Sequence, residues 1–211
     1  MIYTSKFDDC KSSNYNTYAI LSDCAESKDY KGKRYPKLEH KLVRDNNVKK
    51  ESDMGNNKEY IYKYWDEVLS KLDPEEVYKE LDCSILLSCG NNLDFCDRHV
   101  VAEWFEILLG IKVPEVRVKY YKLLEVDRPQ YIKEYLEDAM RLNRNMRGFK
   151  SLRALYLFEK SEKLEEKANE LELKTGLCYD SYRQEACFLR CDADMVEDEY
   201  RELNKKKMLV R

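Results

Sequence analysis

Between Ser88 and Gly110 the sequence SCGNNLDFCDRHVVAEWFEILLG sets two cysteines, an arginine and a histidine directly ahead of an apolar helical pattern. A thiol at a helix start beside a cation can have a depressed pKa, which makes Cys96 a candidate nucleophile. The same turn offers unpaired backbone amides and the positive end of the helix dipole, and both favour a phosphate or carboxylate. Ser88, Cys89, Asp97, Arg98 and His99 are therefore the candidate ligand-binding residues, with Arg98 as the anion anchor. Each also has an ordinary structural role. Asp94 suits an N-cap with Asp97 at the third helical position, Arg98 suits an ion pair with a nearby carboxylate, and a small buried cysteine is a common core residue. No base or orienting group for Cys96 is identifiable from the sequence.

Cys83, Cys89, Cys96 and His99 also raise the question of a metal. Zinc takes four converging ligands, usually as two close pairs, whereas here Cys-x5-Cys-x6-Cys-x2-His spans a strand and a helix start. Cys178, Cys187 and Cys191 supply three ligands with no histidine beside them, so core packing is the better reading. No metal site and no cofactor is expected.

The elements that must position these residues alternate in type. Ile2–Thr4, Thr17–Leu21 and SILL, Ser84–Leu87, read as short strands, the last apolar enough to be buried. Lys41–Asn57 lacks apolar periodicity and reads as a loop, after which a helical pattern begins near Lys58. Asp73 and Pro74 announce the next helix, as N-cap and first helical residue, with Glu75 and Glu76 complementing its positive end. Val100, Val101, Trp104, Phe105, Leu108 and Leu109 then form an apolar stripe over a helix at 95–109, with Gly110 as its left-handed stop. Val113–Val118 reads as a closing strand that Pro114 confines to an edge or a strand start. This order predicts an α/β fold: a small three-layer domain with a mostly parallel sheet over residues 1–118, followed by an all-helical extension over 119–211. A loop leaving the carboxyl end of a parallel strand lies where such sheets bind ligands.

At these residues the sequence resembles the bacterial family called domain of unknown function 488. The likeness covers roughly Met1–Val118: the MIYTS start, YKGKRYPKL at Tyr30–Leu38, LDPEEVYKEL at Leu72–Leu81, and two leucines, a five-residue loop and LDFCDRHVVAEW ending at Trp104. It implies a compact α/β domain with its pocket around this loop, bordered by Tyr30, Gly32 and Tyr35. The family block runs Leu-Leu-Cys, an aromatic, Glu, a proline turn, then Cys-His-Arg. Ser88, Cys89, Gly90, Leu93 and Asp97 depart from it, whereas Cys96 and Arg98 match and His99 is found in many relatives.

With 211 residues, a net charge of −3 and a pI near 5.7, the chain offers no global reason to bind nucleic acid or an anionic membrane. MIYTSKFDDC does not read as a secretory leader, and there is no run of 18 apolar residues of the kind that spans a bilayer. A cytoplasmic protein is expected, with its eight cysteines mostly free thiols. The one basic stretch, RLNRNMRGFKSLR, contains Arg141, Arg144, Arg147, Lys150 and Arg153, the candidate nucleic-acid residues. Three-residue spacing makes them spiral around a helix, Gly148 can break it, and the acids from Asp192 to Glu202 can balance the charge, so nucleic-acid contact is not the leading expectation. Three functions follow in order: binding of a small anionic or nucleotide-like ligand at the 88–99 loop, a Cys96-dependent enzyme acting on nucleotides or nucleobases, and an interaction protein, of the kind phages and mobile elements encode, that captures a protein partner through its helical extension.

Overall fold

The computed structural model of the chain describes residues 1–6, 17–20, 33–34, 41–42, 56–81, 83–88, 95–119, 122–142 and 144–209, with the backbone alone for 17–20, 33–34, 118–119, 122–123 and 209. They form two compact units, 1–143 and 144–211.

Unit 1 is an α/β domain. Its sheet has six strands in the order β3-β2-β4-β1-β5-β6, comprising β1 (Tyr3–Lys6), β2 (Thr17–Ile20), β3 (Lys33–Arg34), β4 (Ile85–Ser88), β5 (Glu115–Lys119) and β6 (Lys122–Val126). Every neighbouring pair is parallel except β5 with β6, which is an antiparallel hairpin. The sequence expectation of a closing strand after Pro114 is half right. Pro114 stands immediately before β5, as a residue without an N–H should, and its carbonyl accepts the Thr4 amide at 3.0 Å. β5 is nevertheless an inner strand, because β6 adds outside it.

The helices of unit 1 are α1 (Asn57–Glu67), α2 (Pro74–Glu80), α3 (Asp97–Leu109) and α4 (Gln130–Leu142). At α2 the Asp73 carboxylate accepts the Glu75 amide at 2.8 Å and the Glu76 amide at 3.1 Å, and Pro74 opens the helix as its sequence requires. Gly110, with φ +66°, terminates α3 in the left-handed conformation. α3 begins at Asp97, later than the pattern suggested, and its N-cap is Cys96, whose side chain makes no capping hydrogen bond. The expected cap, Asp94, lies outside the described residues. α3 is buried nearly all round, from Arg98 to Phe105, and carries the largest core side chain, Trp104, stacked on Phe105. It packs on β1 and β4, with α2 and α4 against it.

Residues 119–142 therefore belong to the α/β unit, and the boundary expected at Val118 falls instead between Asn143 and Arg144. β6 completes the sheet and α4 packs on α1 and α3. Arg128, just ahead of α4, fastens this segment down. Its Nη1 donates to the Val113 carbonyl at 2.7 Å, while Nη2 lies 2.7 Å from Glu106 and 3.1 Å from Glu103.

Unit 2 is a helical hairpin of α5 (Leu152–Thr175) and α6 (Asp180–Leu209), reversed at Gly176, φ +70°. Ala154, Ser161 and Ala168 are buried at seven-residue spacing on α5, as are Ala186 and Ala193 on α6, so the helices approach closely along a seam of small side chains. The buried Glu197 carboxylate on α6 accepts the Lys150 and Ser151 amides at 2.9 and 2.8 Å, fastening the start of α5. Among the described residues no helix of either unit is long and apolar enough to cross a membrane.

Candidate functional site

Side chains alternate along a strand, and parallel partners share a face. The register Thr4↔Leu86, Lys6↔Ser88 and Thr4↔Glu115 therefore puts Thr4, Lys6, Leu86, Ser88 and Glu115 on one face of the sheet. α3 lies over β1 and β4 on that face, and Cys96, Arg98 and His99 at its amino end reach Ser88 and Glu115. Ser88, Arg98, His99 and Glu115 are at most 1% exposed, and Cys96 is buried beside them.

Arg98 links the cluster through two edges of its guanidinium. One edge is taken by Glu115: Nε lies 3.1 Å from Oε1, and Nη2 lies 3.0 Å from the same oxygen. The other, Nη1, donates to Ser88 Oγ and lies 3.1 Å from Cys96 Sγ, and Ser88 Oγ and Cys96 Sγ also touch each other. Asp97 turns away to α1, where its carboxylate accepts the Tyr60 hydroxyl at 2.7 Å. His99 Nε2 is 3.4 Å from Glu115 Oε2, within ion-pair range but without hydrogen-bond alignment, and neither ring nitrogen has a hydrogen-bond partner among the described residues. One turn further along α3, Glu103 Oε2 is buried without a partner as well.

The electrostatics follow from burial and these contacts. Burial alone would raise the Glu115 carboxyl, but His99 and the Arg98 charge and hydrogen bonds together bring it down to about 2. Burial also works against the Arg98 charge, and Cys96 and Glu115 outweigh it, so the guanidinium is a firm cation. His99 is held below its usual pKa by burial, with Arg98 and Arg128 adding to the effect and Glu115 opposing it. Burial pushes the Cys96 thiol up, against the pull of Arg98. At neutral pH the cluster therefore holds one cation, one anion, a neutral imidazole and a thiol.

Several sequence expectations change accordingly. Arg98 is not a free anion anchor: Glu115 balances its charge on one edge, and Ser88 and Cys96 meet the other. Cys96 is not an activated thiolate in this arrangement, since no base contacts it among the described residues. Glu115 was missed in the sequence because it lies a whole helix away and reaches Arg98 from beyond β1. Its one local signal was a carboxylate in the otherwise apolar stretch around Val113 and Val116. Cys89, Tyr30 and Tyr35 lie outside the described residues. No group of three or more His, Cys, Asp or Glu side chains among the described residues is placed to hold a metal ion, and Cys83, Cys96, Cys178, Cys187 and Cys191 are free thiols.

The basic stretch is divided between the two units. Arg141 belongs to α4 in unit 1, whereas Arg144, Arg147, Lys150 and Arg153 belong to unit 2. Arg144 lies 3.3 Å from Glu159, Arg147 pairs with Glu162, and the Lys150 amide is bound by Glu197. Arg153 makes no ion pair among the described residues. The chain turns at Arg147 and Gly148, both with positive φ, where the sequence suggested a break.

Comparison with known proteins adds no relative: no protein-family model, curated protein or solved structure matches this chain.

Proposed function

We propose that unit 1 binds a small anionic or nucleotide-like ligand at the carboxyl end of β4, on a floor made of Ser88 Oγ, Cys96 Sγ, the Nη1 edge of Arg98 and the amino end of α3. The observation that carries this reading is the convergence of Ser88, Cys96 and Arg98 where β4 ends and α3 begins. Strand order supports it. The step from β1 to β2 passes β4 in one direction, and the step from β4 to β5 passes β1 in the other. Neighbouring strands with onward connections in opposite senses mark the place where open α/β sheets bind ligands. His99 supports it too, since it is buried with neither ring nitrogen in an aligned hydrogen bond among the described residues. The likeness to the domain of unknown function 488 family and a three-layer arrangement, of which α2, α3 and α4 supply one layer, belong to the same proposal.

A thermal-shift series with inorganic phosphate and nucleoside monophosphates tests it, with Ser88→Ala and Cys96→Ala as controls. Arg98→Ala is a poor control, because it would leave the buried Glu115 carboxylate with only His99 beside it. A ligand that raises the melting temperature of the native chain and loses that effect in both variants supports the site. No stabilisation by any of them, or stabilisation that survives both substitutions, refutes it.

One contact favours a second reading, a cysteine-dependent enzyme acting on nucleotides or nucleobases. Arg98 Nη1 at 3.1 Å from Cys96 Sγ would stabilise a thiolate once solvent or substrate relieved its burial. Ligand-dependent acceleration of Cys96 alkylation, against constant labelling of the exposed Cys187 and Cys191, would favour it.

A further inference from the structure

We propose that Cys187 and Cys191 on α6 form a two-thiolate site for a soft monovalent metal ion, copper(I). The site lies within unit 2 and is independent of the ligand site proposed for unit 1. The two residues stand four apart on one helix, so their side chains share a face with Cβ atoms about 5–6 Å apart. Two sulfurs that lean toward each other from such positions can take one ion between them. Both are free thiols and both are exposed, although cysteine is among the residue types most often buried. The core packing that their spacing suggested in the sequence is therefore not their role: Ala186, Ala193 and Glu197 mark the buried face of α6, and the pair stands off it. α6 is fastened to α5 in the turn before the pair, where Arg183 Nη2 donates to Glu172 at 2.6 Å, and again beside it, where Arg190 pairs with Glu165. The backbone that carries the two sulfurs is thus fixed before any ion arrives, and the second thiolate binds intramolecularly.

Ligand number and softness choose the metal. Zinc takes four ligands, and no three His, Cys, Asp or Glu side chains among the described residues are grouped to supply them. Copper(I) is satisfied by two thiolates, and thiolate and thioether ligands select it. The next residue at the same spacing is Met195, which is 58% exposed. A long side chain on a helix leans toward the amino end, which carries the Met195 thioether over the turn of Cys191, where it can serve as a weaker third ligand. Cys178 does not belong to this set. It lies ahead of α6, and its thiol donates to Asp180 at 2.9 Å, a contact that together with Glu172 raises its pKa to about 11. Binding turns two thiols and one copper(I) ion into one bis-thiolate complex and releases two protons, so affinity rises with pH.

The test is an anaerobic titration of the reduced full chain with copper(I) against the chromophoric chelator bicinchoninate. The chain should withdraw one ion from the chelator, with an affinity that Cys187→Ser and Cys191→Ser each lower by about 10²–10⁴-fold, the range for losing one arm of a bivalent contact. Cys178→Ser should leave the affinity unchanged, and Met195→Leu should lower it by less than either serine variant does. Helix content in circular dichroism should stay native in all of them, because these side chains are exposed. Spacing is tested by Cys191→Ser combined with Asp194→Cys, which keeps two thiols on α6 but sets them two turns apart; this chain should bind as weakly as the single-thiol variants. In the native chain the ion should slow the alkylation of Cys187 and Cys191 and of no other among the eight cysteines. The inference is overturned if the chelator keeps the copper, if the spacing variant binds as tightly as the native chain, if other cysteines are shielded instead, or if equimolar zinc displaces the ion. None of these outcomes bears on the anion site of unit 1.

Discussion

At the scale of single residues, the Arg98–Glu115 pair governs stability as well as binding. Removing one partner strands a buried charge, so Glu115→Ala should cost about 3–5 kcal/mol in urea unfolding of unit 1. Replacing both, with Arg98→Met and Glu115→Leu, should cost much less, because no uncompensated charge remains. The same cluster fixes the sign of the pH dependence. Glu115 falls from the ordinary 4.5 to about 2 on folding, so the stability it contributes is present above pH 4.5 and is lost as pH drops toward 2. His99 also has a lowered folded pKa, so the unfolded chain takes up its proton first and stability begins to fall below about pH 6.5. Cys96 acts at the other end: its raised thiol pKa means that deprotonation above pH 9 favours the unfolded chain. Glu103, raised by burial, softens the loss on the acid side. Guanidinium unfolding midpoints measured from pH 4 to pH 10 should still form a plateau that declines on both sides, and a rise on acidification that persists in Glu103→Gln would contradict the charge assignment. Cys96, Arg98 and His99 were legible in the sequence because a helix start announces itself locally. Glu115 was not, because which carboxylate meets Arg98 is decided by strand order, and local periodicity does not encode strand order.

The elements show the same division between local and distant causes. Asp73, Pro74 and Gly110 act within one turn of their own positions, and all three adopt the conformations their residue types favour. Asp73→Ala should cost about 1 kcal/mol through two lost amide contacts. β6 was harder to read, since KLLEV is short and two adjacent leucines break its alternation. It becomes a strand because β5 offers it a hairpin partner, with Lys112 and Glu125 pairing close by. In unit 2 the local surprise is Glu197, an acid from a charged run that is buried because it supplies an acceptor to the start of α5. Glu197→Ala leaves the Lys150 and Ser151 amides without that acceptor and should cost about 1–3 kcal/mol, visible as earlier melting of the hairpin signal. Gly176→Ala meets no neighbouring atom and should cost about 1–2 kcal/mol from its positive φ alone.

For the whole molecule, the position of the boundary is the testable matter. A fragment of residues 1–143 keeps β6, α4 and the Arg128 contacts, and should unfold cooperatively with near-native helix content in circular dichroism. A fragment ending at Val118 loses all three and exposes one side of β5, and should be unfolded or aggregated. Equal behaviour of the two would place the boundary where composition alone first suggested it. The alternation of strands and helices was enough to read the α/β class, whereas the boundary was obscured because α4 looks, residue by residue, like the helices of unit 2. The outer margins of the sheet carry a last consequence. Among the described residues it ends on one side in β3, Lys33–Arg34, and on the other in β6, already folded back on its neighbour. β6 is bound by β5 along one edge only, and the charged Lys112–Glu125 pair beside it works against a stranger's extended segment zipping onto the other.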